Sequence, residues 1–118
     1  MLRKNVLRKI EDFNRVYNKG KKVHEKYVVV FCMKNGLEID RISYIASKKV
    51  GNSVHRNRAR RLMKESMRFI DKKQSGHDLI FVAKNSIKDG KCADVKKSIE
   101  SALKKLRIID NEAKNEIC

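Results

Sequence analysis

The residues best equipped for chemistry lie between positions 47 and 66, SKKVGNSVHRNRARRLMKES, where seven basic residues stand against one acid. On a helix advancing about 100° per residue, with Arg56 at zero, Arg60 falls near 40°, Lys64 near 80°, Asn57 near 100°, Arg68 near 120° and Arg61 near 140°. Ala59, Leu62, Met63, Ser66, Phe69 and Ile70 take the arc from about 220° to 340°. One face is suited to packing on a sheet. The other presents cations about one turn, or ~5.4 Å, apart, comparable to the spacing of successive phosphates. Guanidinium groups bond phosphate through two nitrogens and stack on bases, which an ammonium does not do. Asn57 both donates and accepts, so it can read a base edge or a 2′-hydroxyl.

A charge run is ordinarily a solvated face, with acids interleaved. Here the acids are missing. Residues 48–73 hold ten basic and two acidic residues, which is half of the chain's net charge of +16. Such an excess in one domain is the electrostatic footprint of a nucleic-acid binder. A basic membrane-surface protein is the main competitor. The longest apolar run, Tyr27 to Met33, is seven residues, against roughly 20 for a membrane span. The N-terminal MLRKNVLRKI is basic but lacks a signal peptide's apolar core. Cys32, Cys92 and Cys118 are an odd count with no CxxC pair, which argues for a reducing compartment; with the short apolar run and the missing signal core, a soluble, cytoplasmic protein is expected. His24, His55 and His77 have no metal-ligand spacing. Glu11-Asp12 reads as helix N-terminal charge. Neither a glycine-rich phosphate loop nor a protein-borne nuclease constellation is visible.

These residues need a scaffold. With 118 residues, 41% hydrophobic, one domain with one core is expected. Residues 9–19 read as a helix, with Ile10, Phe13 and Tyr17 on one side and Gly20 at its end. Residues 22–34 read as a strand, Asn35-Gly36 as a hairpin turn and residues 40–47 as a second strand, with room for a further short strand within 20–48. Asn52 or Ser53 can cap the basic helix, which runs to about 73. Residues 78–84 read as a central strand, apolar on both faces. A last helix spans about 92–108, with Val95, Ile99, Leu103 and Leu106 on one stripe. Residues 109–118 lack periodicity and are expected to fray. In the first strand, Tyr27, Val29, Phe31 and Met33 form one face and Val28, Val30 and Cys32 the other. Three short helices can hardly cover both faces completely, so a groove on the barer one is plausible.

KKVGNSVHRNRARRL resembles the RNR signature of the bacterial ribonuclease P protein subunit, and EDFNRVYNKG resembles that family's first helix. The resemblance covers most of the chain. It implies an α+β fold for residues 1–118, an α–β sandwich of a four-stranded sheet and three helices in the order αβββαβα. It also implies a left-handed crossover through the RNR helix, against the usual handedness. It further implies partnership with a catalytic RNA that, with Mg²⁺, removes the 5′ leader of precursor tRNA, the protein itself holding no cofactor and being a monomer when alone. By the same resemblance Arg56, Asn57, Arg58, Arg60, Arg61, Lys64 and Arg68, with Lys48 and Lys49 before them, would face the catalytic RNA. Phe13, Tyr17, Val29 and Phe31 would line a cleft for the single-stranded leader. Ring stacking there would tolerate any base, although Phe and Tyr at helical spacing are more often core. Without the resemblance, a ribosomal or RNA-chaperone type binder is the alternative, and a DNA-binding protein comes third.

Overall fold

The structure, a computed structural model, describes residues 6–7, 9–70 and 76–108. In chain order the elements are α1 (Ile10–Lys19), β1 (Lys21–His24), β2 (Val28–Lys34), β3 (Arg41–Ile45), α2 (Ser53–Arg68), β4 (His77–Ala83) and α3 (Cys92–Lys105). Short 3₁₀ turns precede α2 at Lys48–Val50 and follow β4 at Asn85–Asp89. The order and the class, three helices on a four-stranded mixed sheet, agree with the expectation.

The β-branched and aromatic runs of β2 and β4 pair antiparallel at the middle of the sheet, Val30 opposite Phe81 and Cys32 opposite Leu79. β1 adds antiparallel outside β2, and β3 adds parallel outside β4, giving the order β1-β2-β4-β3. Two expectations change here. The run 22–34 is two strands, because the Glu25 amide donates to the Val28 carbonyl at 2.8 Å and folds the chain into a hairpin. That turn takes Tyr27 out of the strand face and into the larger core, where its ring abuts Gly90. Asn35-Gly36 does not join β2 to β3 as a hairpin, since β4 lies between those strands. The Asn35 side chain instead accepts from the Leu37 amide at 2.7 Å and donates to Asp78 at 2.9 Å.

The helices cover the two sheet faces unequally. α2 and α3 bury Ala59, Met63, Met67, Val95, Ile99 and Leu103 against Val28, Val30, Leu79 and Phe81. α1 is the one helix on the other face, where its Val16 packs on Phe31 and Ile80 together with Leu7 of the preceding segment. Val29, Met33, Ile45 and Val82 remain only half-covered, as the sequence argument anticipated. α1 approaches β2 closely at Gly20, where a Cβ would stand 2.5 Å from the Val16 carbonyl and 2.7 Å from that of Cys32. The amide of Leu7 donates to the Ile42 carbonyl at 3.2 Å, and Val6 bridges to Ile42 in parallel, so this segment lies along the outer edge of β3.

α2 ends at Arg68 rather than near 73, and α3 at Lys105 rather than 108. Residues 71–73 and the tail 109–118 lie outside the described residues.

Asp78, fully buried on the central strand, is the polar centre of the fold. Arg41 grips it with two nitrogens, Nε to Oδ1 at 2.8 Å and Nη2 to Oδ2 at 2.7 Å. Arg15 reaches the same Oδ2 at 3.4 Å, and Arg41 also meets Asp12 at 3.2 Å. Asp12 is therefore more than helix N-terminal charge, because it ties α1 to β3. Burial is the largest single influence on the Asp78 carboxyl and opposes its ionisation. The bonds from Arg41 and Asn35, with the charges of Arg41 and Arg15, outweigh it together and hold the carboxyl below the usual range.

Asp78→Ala strands the Arg41 guanidinium and should destabilise the fold by about 3–5 kcal/mol at neutral pH. A depressed folded pKa stabilises above the unfolded value, about 4 for aspartate, and the benefit disappears as pH falls through the folded value. Urea unfolding of both chains at pH 7 and pH 3 checks this. The gap between them should narrow at the lower pH, and a constant gap would contradict the assignment.

Candidate nucleic-acid interface

The basic helix is started by local chemistry. Ser47 Oγ accepts from the Lys49 amide at 3.3 Å and opens the 3₁₀ turn, which the fully buried Val50 anchors. Gly51 follows at φ 135°, a conformation that disfavours any side chain, and a Cβ there would fall 2.9 Å from the His55 ring. Asn52, one of the two expected caps, accepts from the His55 amide at 3.1 Å. The first turn of α2 contains no acid, so its positive dipole end adds to the side-chain cations instead of being offset. Lys48 and Lys49 are exposed on the turn ahead of it.

Along α2 the predicted residues separate. Arg60, Arg61 and Lys64 line one groove with Ile42, Ser43 and Tyr44 of β3, of about 630 Å³. Asn57 is exposed and accepts from the Arg60 guanidinium. Burial pushes the Tyr44 hydroxyl up to about 12, and its ring stacks on Phe81 at 5.4 Å. Arg56 is half-buried, with its Nε unpartnered among the described residues. Arg68 is exposed at the far end and bonds Glu65 at 2.9 Å.

Arg58 stands apart. Its guanidinium donates to the carbonyls of Ile87 at 3.3 Å, Lys88 at 3.4 Å and Gly90 at 2.9 Å. It pins α2 to the end of the second 3₁₀ turn. Its wheel angle, near 200° from Arg56, already placed it outside the cationic arc.

The second surface is on the half-covered sheet face. Phe13, Tyr17 and Phe31 form a ladder of near-parallel rings, with centroids 6.2 Å and then 4.6 Å apart. Tyr17, the middle ring, is 52% exposed and Phe31 only 6%, so the ladder meets solvent at Tyr17 and the core at Phe31. Lys22 lies over the Phe31 ring at 5.8 Å. A cleft of about 750 Å³ passes Phe13, Tyr17, Ile45, Lys49, Val82 and Lys84. Val29 and Phe31 are not on its wall. They belong to the apolar layer behind α1, and Phe31 is the buried rung of the ladder. Lys84, Asn85 and Ser86 line the cleft without having been singled out. Their only sequence signal was position, directly after the central strand. Lys49, assigned to the basic row, lines the cleft and not the groove beside Arg60, Arg61 and Lys64.

Among the described residues no group of three histidine, cysteine or acidic side chains could hold a metal ion. No described helix is long and apolar enough to cross a membrane. Cys32 is buried and Cys92 exposed, both as thiols.

The family model for ribonuclease P matches residues 1–107. The ribonuclease P protein component of Caldanaerobacter subterraneus is 40% identical over 107 residues, covering 90% of this chain and 92% of the relative. That of Clostridioides difficile is 42% identical, covering 86% and 91%. The solved structure of the Staphylococcus aureus RNase P protein superposes with a TM-score of 0.81 at 28% identity, covering 92% of this chain and all of that one. The Thermotoga maritima RNase P protein shares the fold, with a TM-score of 0.73. With a family match running from the first residue through the whole of α3, and relatives matched over nearly their full length, the chain belongs to the ribonuclease P protein family, whose members are subunits of the ribonuclease P enzyme.

Proposed function

We propose that the chain binds two RNAs through its two surfaces. Family membership implies partnership with the enzyme's RNA subunit. In this reading the exposed row of α2 with Lys48 and Lys49 engages that RNA, and the ring cleft takes the 5′ leader of precursor tRNA. Phosphodiester hydrolysis and the Mg²⁺ it needs belong to the RNA, and the protein works in the cytoplasm as a monomer that joins the RNA. The observation that carries the reading is the presence of two unlike surfaces on one small fold. One is a groove rimmed by Arg60, Arg61 and Lys64. The other is a stack of rings flanked by lysines. Cations on a helix hold phosphates in register, and rings hold unpaired bases without reading them.

Arg58 has no place in the RNA-facing set in this reading, because its donors are engaged within the fold. Tyr17 replaces Phe31 as the main stacking platform, because its ring is the exposed one.

Purified protein freed of RNA should leave precursor tRNA intact, and 5′ cleavage should appear when a bacterial catalytic RNA is added. Cleavage by the protein alone would overturn the proposal. Arg60→Ala and Lys64→Ala should each flatten the log–log salt dependence of binding to the catalytic RNA, by about 0.7–0.9 per lost phosphate contact. Arg58→Ala is the contrast: it should cost roughly 1–3 kcal/mol of stability and leave the slope alone. Slopes unchanged from wild type in both Arg60→Ala and Lys64→Ala would make the α2 row an ordinary solvated face. Tyr17→Ala should weaken holoenzyme binding to precursor tRNA by roughly 1–3 kcal/mol, spare mature tRNA and barely move Tm. A lowered Tm with an unaltered precursor-to-mature ratio would assign Tyr17 to packing.

A further inference from the structure

A third basic surface has no part in the reading above. A recess of about 410 Å³ opens where the C-terminal ends of α1 and α3 meet the ends of β2 and β4. Lys19, Lys21, Lys34 and Arg107 surround it, and Met33 and Leu106 give it an apolar wall. None of the four cations has an ion pair among the described residues. The nearby acid Asp40 is occupied with His77, accepting from its backbone amide at 2.9 Å.

Arg107 is the informative residue. Its φ is 62°, the one positive φ outside glycine among the described residues. Its amide donates to the Lys104 carbonyl at 3.0 Å, and that of Ile108 to Leu103 at 2.9 Å. Those two bonds make a Schellman ending, with buried Ile108 packed against the core as its anchor. The left-handed position in that motif is where glycine is ordinarily found, and an L side chain there is strained. Strain of this kind is retained where the side chain has a use. Here it plants a guanidinium on the wall of the recess.

Compensation of helix dipoles would account for Lys19 and Arg107. Two helix C-termini supply about one negative charge in total, against four formal positive charges, and Lys21 and Lys34 lie on strands. We infer that the recess is a further phosphate site, which holds RNA backbone through Lys19, Lys21, Lys34 and Arg107. Its apolar wall suits the sugar and base edges of a nucleotide. The inference rests on the reading of the chain as an RNA-binding subunit.

Arg107→Gly tests it without threatening the fold, since glycine relaxes the backbone and should hold or raise Tm. Binding of the protein to the catalytic RNA, and of the holoenzyme to precursor tRNA, is measured across salt concentrations. With one of these RNAs the slope should flatten by about 0.7–0.9, and by about twice that in Lys34→Ala/Arg107→Gly. Unchanged slopes for both RNAs, with Arg60→Ala still flattening its own, would overturn the recess and leave the α2 row standing. If Arg60→Ala also changes nothing, the underlying RNA reading fails and takes the inference with it. Inorganic pyrophosphate distinguishes the source of phosphate. If it raises the Tm of the wild-type chain but not of Arg107→Gly, and the RNA slopes are unchanged, the occupant is a small phosphate compound and the RNA assignment is overturned.

Discussion

The buried carboxylate of Asp78 is the constraint on which the arrangement depends. A charge fully removed from water persists only when its lone pairs are satisfied by charged or polar donors. Arg41, Asn35 and Arg15 meet that demand from β3, from the loop after β2 and from α1. One side chain on the central strand therefore decides three things: where β3 lies, how the β2–β3 loop closes and where α1 crosses the sheet. α1 needs the help. Val16 is its one buried residue, and Ile10 at its start is 75% exposed.

That light attachment leaves the Phe13–Tyr17–Phe31 ladder accessible. A helix with a wide apolar stripe would have sealed the sheet face, as α2 and α3 do on the other side. The two faces thus divide the work. The sealed face gives the molecule its stability and anchors α2 by its apolar side, leaving Arg61 and Lys64 outward. The half-sealed face gives up some apolar burial and keeps rings in contact with solvent.

Much of this was legible in the residues. The helices were readable from period and caps, and the central strand from the five consecutive apolar residues 79–83, which fill both faces. The α2 row was readable from wheel angle and missing acids. What failed did so for stated reasons. Asn35-Gly36 has the chemistry of a tight hairpin, yet local chemistry cannot tell that a later strand, β4, will pair between its neighbours. Met67, near 20° on the wheel, is buried, and Phe69, near 220°, is 67% exposed. Phe69 lies just past the end of α2, where the wheel no longer applies, and for Met67 the wheel gives an angle but not the side from which α3 and the sheet approach. Arg58 was grouped by its motif, although the carbonyls that hold it are about thirty residues away in sequence. Nothing in the sequence singled out Asp78, because its partners come from separate elements.

The segment laid along β3 has a consequence for the company the molecule keeps. An open strand edge invites another chain to extend the sheet, the route to aggregation. At β3, Val6 and Leu7 occupy part of that edge and satisfy the Ile42 carbonyl. At the opposite margin, β1 is only four residues long and begins with Lys21 and Lys22, whose like charges repel a second copy. A sheet so apolar at its middle is thereby poorly suited to growing by self-addition at either margin.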